Sequence, residues 1–436
     1  MKPTLPAKLL HALAPWRNAP AWHIAFSGGL DSTVLLHLLA NSESIPPLSA
    51  VHVHHGLQAA ADAWPSHCQS ICDHLGVPLR IMRVQVQAGA SLEGAAREAR
   101  YQAFTEVMGA GAVMLTAQHR EDQAETLLFR LLRGAGVRGL TAMPVHRPLA
   151  GGHLVRPLLH VSRGELEAYA MAHQLQWIAD PSNTDTQFSR NYLRHRVFPR
   201  LTERWPQAVS RLARSAEHLN EAQGLLDELA RIDLQAADQP SPFPWLPLPS
   251  LALACLRELS DARQRNALRH WLSPLTRLPD SDHWVGWQSL RDARHDAQPL
   301  WRLADGQLHR CGERIWWLPS SWSEFSDTAV SWPDAQHPLS LPGNGLLRIV
   351  GKAPAGPFEV RYRQGGETLD VPGRGRRDLK RLLNESGVPG FVRGRLPLLY
   401  QGERLLGVPT LAGLRVAPSE GWQLHWVPQT CDQGLS

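Results

Sequence analysis

Lysine is nearly absent from this chain: four of its 45 basic residues, Lys2, Lys8, Lys352 and Lys380, are lysines and all the others are arginines. We read that bias as compositional, and it excludes no function. Other absences exclude more. No apolar run approaches the roughly 18 residues a membrane helix needs, and the Met1-Lys2-Pro3 start lacks the apolar stretch of a secretory signal. A cytoplasmic chain with no membrane partner is therefore expected. The cysteines, Cys68, Cys72, Cys255, Cys311 and Cys431, are odd in number and scattered, which makes a poor disulfide framework and fits a reducing compartment.

At 436 residues the chain exceeds what one hydrophobic core usually serves, so two or three domains are expected. Its net charge of +5 is unevenly spread. Residues 1–200 carry 18 Lys and Arg against 14 Asp and Glu, residues 201–339 carry 14 against 18, and residues 340–436 carry 13 against 8. Two basic ends around an acidic middle suit a polyanion held at two places, and equally suit ordinary solvated charge.

From Trp22 to Gln118, short apolar runs alternate with stretches whose apolar residues recur three and four apart. Strands are expected near 22–26, 48–53, 79–86 and 112–116, and helices over 32–39, 60–75, 92–108 and 122–132. This rhythm predicts an α/β domain with a parallel sheet, whose ligands sit at the carboxyl ends of the strands. Past Trp205 a long polar helix over 208–232 and a proline-rich stretch, 240–249, mark a mainly helical middle domain. Short polar sequence around 326–342 then precedes a strand-like, glycine-punctuated tail, read as a small α+β domain. The resulting division is 1–207, 208–330 and 340–436. Trp271, Trp284, Trp287 and Trp301 of the middle segment read as core. Cys68 and Cys72, side by side on one helix face, read as small buried residues, because they lack the further ligands of a zinc site.

The chemistry concentrates at Ser27-Gly28-Gly29-Leu30-Asp31-Ser32, which follows the first strand and opens a helix. Backbone N–H groups there, with the helix dipole, can hold phosphate oxygens. The loop lacks the Gly-Lys-Ser/Thr ending whose lysine reaches the β and γ phosphates, which disfavours γ-phosphate transfer. It instead places a carboxylate, Asp31, beside the phosphates, where Mg²⁺ must lie between them; the plain alternative is a helix N-cap. The loop resembles the pyrophosphate loop of the N-type ATP pyrophosphatases, which split ATP between its α and β phosphates.

Further segments narrow the resemblance: His52-Val53-His54-His55-Gly56-Leu57, the stretch Ser91 to Tyr101, Leu115 to Thr126, Arg133 to Leu140, Arg156-Pro157-Leu158-Leu159, Asp180-Pro181-Ser182-Asn183 and Arg190-Asn191-Tyr192-Leu193-Arg194. Together with the tail segments Arg361 to Glu367, Arg374 to Leu383 and Arg393 to Leu398, they look like the tRNA(Ile)-lysidine synthetases at both ends of the chain. Gln58 and Gln118 depart from the family's usual arginine and histidine. The resemblance implies ATP and Mg²⁺, a tRNA(Ile) with a CAU anticodon, and free L-lysine as substrates. The expected product is lysidine at cytidine 34. It adds His52 and His54 to the ATP-binding set, and leaves open whether the chain is a monomer or a homodimer.

His119, Asp122 and Glu125, spaced by three at the start of a helix, could bind the lysine ammonium and receive its proton; they could also simply favour the helix N-terminus. Arg97 reads either as an RNA contact or as an exposed partner of Glu93. Arg190, Arg194, Arg196 and Arg200 form a run without interleaved acid and are read as an RNA surface, and Arg374, Arg376, Arg377, Lys380 and Arg381 as a second one in the tail. Two other readings remain in play. A tRNA thiolase would need thiol or cluster chemistry, and the catalytic region offers only Cys68 and Cys72 with no Cys-x-x-Cys pair. A noncatalytic tRNA-binding protein would have no use for Asp31, Asp122 and Glu125.

Overall fold

The computed structural model describes residues 3–56, 59–86, 92–279, 282–294, 297–352, 355–371, 374–409 and 421–429. Leu57, Gln58, Ser91, Cys431 and the side chain of Glu93 lie outside what is described. The chain divides into two compact units, Met1–Leu225 and Leu226–Leu435, with the division inside one 30-residue helix, Ala208–Ala237.

The first unit is built on a six-stranded sheet of β1 (Trp22–Ala25), β2 (Leu48–His54), β3 (Leu79–Arg83), β4 (Val113–Leu115), β5 (His146–Leu149) and β6 (Gly152–Val155), in the order β3-β2-β1-β4-β6-β5. All neighbours are parallel except the β5–β6 hairpin. The chain moves outward from β1 through β2 to β3, then returns to the other side of β1 as β4. That reversal opens a crevice at the carboxyl ends of β1 and β4, where doubly wound sheets bind ligands.

Helices α1 (Leu5–Leu13), α2 (Leu30–Ala40), α3 (Trp64–Leu75), α4 (Leu92–Val107), α5 (Arg120–Leu131), α6 (Val137–Leu140) and α7 (Arg163–Ala172) complete most of this unit. α2 is apolar on nearly every side, and Leu30, Val34, Leu35, Leu36, Leu38 and Leu39 are all buried in the core that contains Trp22, Ile24 and Phe26 of the first strand region. Such a helix is stable only when covered on more than one face. α7 begins with a reciprocal cap: Ser162 Oγ accepts from Glu165 N (3.3 Å), and Glu165 Oε2 accepts from Ser162 N (3.0 Å). A cap of this kind contributes about 1 kcal/mol.

The expected elements of residues 22–132 are present to within a few residues. The β5–β6 hairpin and α7 were not foreseen. In the second unit the helices of the middle segment are joined by a four-stranded antiparallel sheet, Ser250–Ala252, Arg314–Pro319, Gly306–Cys311 and Leu300–Leu303 in spatial order, which composition did not announce. Trp284, Trp287 and Trp301 are buried in its core with Trp271 packed against them, as expected. The tail folds as short antiparallel sheets with the helix Leu379–Glu385, an α+β arrangement.

Candidate active site

The loop after β1 is held in shape before any ligand arrives. Gly28 has φ +80°, and a Cβ there would meet Ile178 Cδ1 at 2.7 Å and Cys68 Sγ at 3.0 Å, so only glycine fits. Ile178 N donates to Gly28 O (2.8 Å), clamping the turn from above. Ser32 Oγ donates to Gly29 O and lies 3.0 Å from Ser27 Oγ, while Gly29 N donates to Ser27 Oγ (3.3 Å). Leu30 is buried in the core and offers the site only its backbone. The first-turn N–H groups of α2 have no intrahelical acceptor and face the loop, as an anion site requires.

Asp31 reaches from α2 toward the start of α5, where His119 stands between carboxylates. His119 Nε2 lies 3.7 Å from Asp31 Oδ2 and 3.5 Å from Asp122 Oδ2, and its Nδ1 is 3.0 Å from Glu121 Oε2. Burial works against protonating His119, yet the hydrogen bond to Glu121 and the charges of Asp122 and Asp31 outweigh it and raise its pKa above the ordinary histidine value. Asp31 is raised as well, chiefly by burial and further by Asp122, with His119 opposing. Its Oδ1 is buried without a hydrogen-bond partner. A carboxylate in that condition is a natural ligand for a small hard cation. Among the described residues no three side chains are grouped to cage a metal. One carboxylate plus phosphate oxygens and water is the usual Mg²⁺ arrangement.

Asp122 and Glu125 are both occupied. Arg194 donates through Nε to Glu125 Oε1 (2.7 Å) and through Nη2 to Glu125 Oε2 (2.8 Å) and Asp122 Oδ1 (3.0 Å); His119 N donates to Asp122 Oδ2 (3.0 Å). Burial, the largest influence on Glu125, raises its carboxyl against the pull of Arg194. Burial also opposes charge on Arg194, and Glu125 overcomes it to raise the guanidinium's pKa. The expected RNA stripe is thereby split. Ser189–Tyr192 is α-helical, Leu193–Val197 forms a π-helical turn, and Phe198–Arg204 resumes the α-helix. Arg194 points into the carboxylates and Arg190 toward Thr126 Oγ1 (3.5 Å). Arg196 and Arg200 are exposed, Arg200 beside Glu203.

His52 and His54 are buried along β2. His52 Nδ1 is 2.9 Å from the carbonyl oxygen of Phe26, the residue that enters the loop, so Nδ1 carries the proton and the buried, unpartnered Nε2 is an acceptor. Burial is the main reason its pKa is lowered. His54 Nε2 is 3.4 Å from Asp62. Sequence reasoning missed the clamp, Ile178 with Cys68, and it missed Glu121, which also accepts from Arg163 N (2.9 Å) at the start of α7. Neither leaves a local signal, since each acts on residues distant in the chain. Burial pushes the Cys68 thiol up to about 12 and Cys72 to about 11, which fits inert packing residues.

Three family models match the chain: a PP-loop domain over residues 1–201, a TilS substrate binding domain over 251–316 and a TilS substrate C-terminal domain over 358–426. A tRNA(Ile)-lysidine synthase from Pseudomonas fluorescens is 64% identical over 99% of this chain and 98% of its own length. The chain belongs to the tRNA(Ile)-lysidine synthase family. Members so named from Pseudomonas aeruginosa and Shigella flexneri are 63% and 42% identical, over 99% and 91% of this chain and 99% and 93% of their own lengths.

In this family member the tail patch takes a different form from the helix at 189–204. Thr368–Val371 pairs with Gly375–Asp378, a strand exposed at all four positions that carries Arg376 and Arg377. Arg374 and Arg381 both bond Glu385 (3.0 Å each), and Arg376 Nε donates to Thr368 Oγ1 (2.7 Å). Arg377 and Lys380 are exposed and have no acidic partner among the described residues.

Proposed function

We propose that the chain is a cytoplasmic tRNA(Ile)-lysidine synthetase, an ATP-dependent ligase forming a C–N bond. ATP adenylates O2 of cytidine 34 in the CAU anticodon with release of pyrophosphate. The side-chain amine of lysine then displaces AMP at C2, which changes the codon read from AUG to AUA. Cytosine O2 is a poor leaving group, and AMP is a good one. The observation that carries this reading is Asp31, with its orphaned oxygen, at the N-terminus of α2 beside the Gly28-Gly29 turn. The loop and α2's first turn would hold the two departing phosphates, with Asp31 ligating Mg²⁺ between them. That ion would supply charge neutralisation on the pyrophosphate as it leaves.

The lysine amine has an ordinary pKa of about 10.4, so freeing it near neutral pH costs roughly 4 to 5 kcal/mol. Asp122 and Glu125 lie where a carboxylate could take that proton, and Arg194 stands over both. Free lysine carries a side-chain ammonium at one end and an α-ammonium and a carboxylate at the other, and the acidic and basic groups here suit the side-chain ammonium and the carboxylate. On entry, the amino acid would exchange its own charges for the contacts that Arg194 now makes with Glu125. His119, engaged by carboxylates at both nitrogens, organises the group. Arg97, Arg190, Arg196 and the tail residues Arg374, Arg376, Arg377, Lys380 and Arg381 are assigned to the tRNA, in the three segments 1–207, 208–330 and 340–436. The test is incubation with ATP, labelled lysine and CAU-anticodon tRNA(Ile). Pyrophosphate, AMP and labelled tRNA are expected. ADP and orthophosphate would overturn the reading, and pyrophosphate without lysine attachment would point to another nucleophile.

A further inference from the structure

A second concentration of arginine lies in the first unit, away from the carboxylates. Tyr101 sits on α4, and Arg97, one turn earlier, donates through Nη2 to its hydroxyl (3.2 Å). The Arg147 guanidinium, from β5, lies 4.5 Å from the centre of the Tyr101 ring, and that of Arg97 lies 5.1 Å from it. Arg156, the residue after β6, is only 2% exposed. It donates through Nη1 to Pro144 O (2.7 Å), and its Nε is buried with no acceptor.

No carboxylate pairs with Arg97, Arg147 or Arg156 among the described residues. Burial lowers the pKa of Arg156; the neighbouring Tyr101 hydroxyl pulls against that, and Arg147 and Arg97 add to the lowering. Burial likewise lowers that of Arg130, with Arg190 and Arg97 adding to the effect. Converging guanidiniums, one of them buried with an unmet donor, are costly in the free protein and favourable around an anion.

We propose that Arg97, Tyr101, Arg147 and Arg156 form a subsite for one backbone phosphate of the RNA strand, with a phosphate oxygen as the acceptor that Arg156 Nε lacks. Guanidinium forks match phosphate geometry, and the half-exposed Tyr101 ring offers a neighbouring sugar or base a flat face. The position agrees. Val155 is paired with Leu115 in the sheet, so Arg156 emerges at the same carboxyl edge as the loop after β1 and the start of α5. It stands two strands from β1, roughly 10 Å away, and Arg190 beside Thr126 lies toward the carboxylates. A strand that delivers its base to the loop would carry its backbone past this point. The inference rests on the proposed function only in taking RNA as the polyanion.

The other source of phosphate is ATP itself, and the test separates the two. Affinity for a CAU anticodon stem–loop RNA and for ATP would be measured across a salt series in the full-length chain. The proteins are wild type, Arg147→Gln and Arg97→Gln, the last on an exposed helix face where folding is not at stake. Each variant should bind RNA about tenfold more weakly, with the slope of log affinity against log salt reduced by about 0.7, and should bind ATP normally. Arg147→Lys should keep the slope. Unchanged RNA affinity and slope in both glutamine variants would overturn the subsite, as would loss of ATP binding with RNA binding intact. A wild-type chain that attaches no lysine, but whose RNA binding responds to these substitutions as described, supports the subsite and sinks only the proposed reaction.

Discussion

Arg194 and Arg377 both lie in short arginine-rich stretches of sequence, and the fold gives them opposite surroundings. Arg194 turns inward and is fastened at both ends of its fork to Glu125, with Asp122 alongside. Arg377 stands on a strand that faces solvent at every position. The difference teaches that a cluster of arginines is not one kind of feature. A guanidinium opposite a buried carboxylate is part of a site's internal electrostatics, and one opposite water is available to a polyanion. Charged residues on an exposed strand also discourage edge-to-edge pairing, so the tail patch has a structural use even without RNA.

The comparison can be broken or sharpened by substitution. The largest effect is expected at the anchor of the inward cluster: Asp31→Ala should reduce pyrophosphate release by at least about 10³-fold with an unchanged circular dichroism spectrum, and chelation of Mg²⁺ in the wild type should do the same. Normal release by this variant would remove Asp31 from the reaction. Arg194→Ala should lower lysine attachment by about 100-fold while leaving pyrophosphate release within a few fold, and should lower the melting temperature, because it leaves Glu125 buried and unpaired. If Arg194 acted mainly on RNA, the loss would instead appear as weaker tRNA affinity.

Smaller effects follow. Arg377→Glu with Lys380→Glu should weaken tRNA binding by about tenfold and flatten its salt dependence, without changing affinity for ATP or lysine; salt-independent weakening would contradict a phosphate role. Gly28→Ala should cost about 1 to 2 kcal/mol in thermal unfolding and weaken ATP binding, since its methyl would collide with Ile178 and Cys68. Ser162→Ala, which only uncaps α7, should cost about 1 kcal/mol and leave catalysis alone.

Much of the first unit was legible in advance because its signals are local. Trp22 to Phe26 is mostly apolar and leads through Ser27 into two glycines, and α2 is apolar on nearly every side, so strand, turn and buried helix follow from neighbouring residues. The β5–β6 hairpin was not legible, because His146-Arg147-Pro148-Leu149 neither alternates nor forms an apolar run. The same holds for the sheet spanning 250–319, whose strands are short and sit among tryptophans that any core would hold. At the candidate site, the nearness of His119, Asp122 and Glu125 follows from their spacing by three on one helix, and the position of Asp31 from the loop that opens α2. The pairing of Asp122 and Glu125 with Arg194 does not, since it joins residues 69 and 72 apart in the chain.

The π-helical turn at Leu193–Val197 works as a phase adjuster. It holds about one residue more per turn than its flanks, so Arg190, before it, is indexed to α5 independently of Arg200, beyond it, with Arg194 and Arg196 inside the turn itself. Deleting a single residue there would let the helix run regularly and swing one half by about 100° relative to the other. Either the arginines facing α5 or Arg200 would then lose its bearing, so this short stretch should tolerate a change of length poorly.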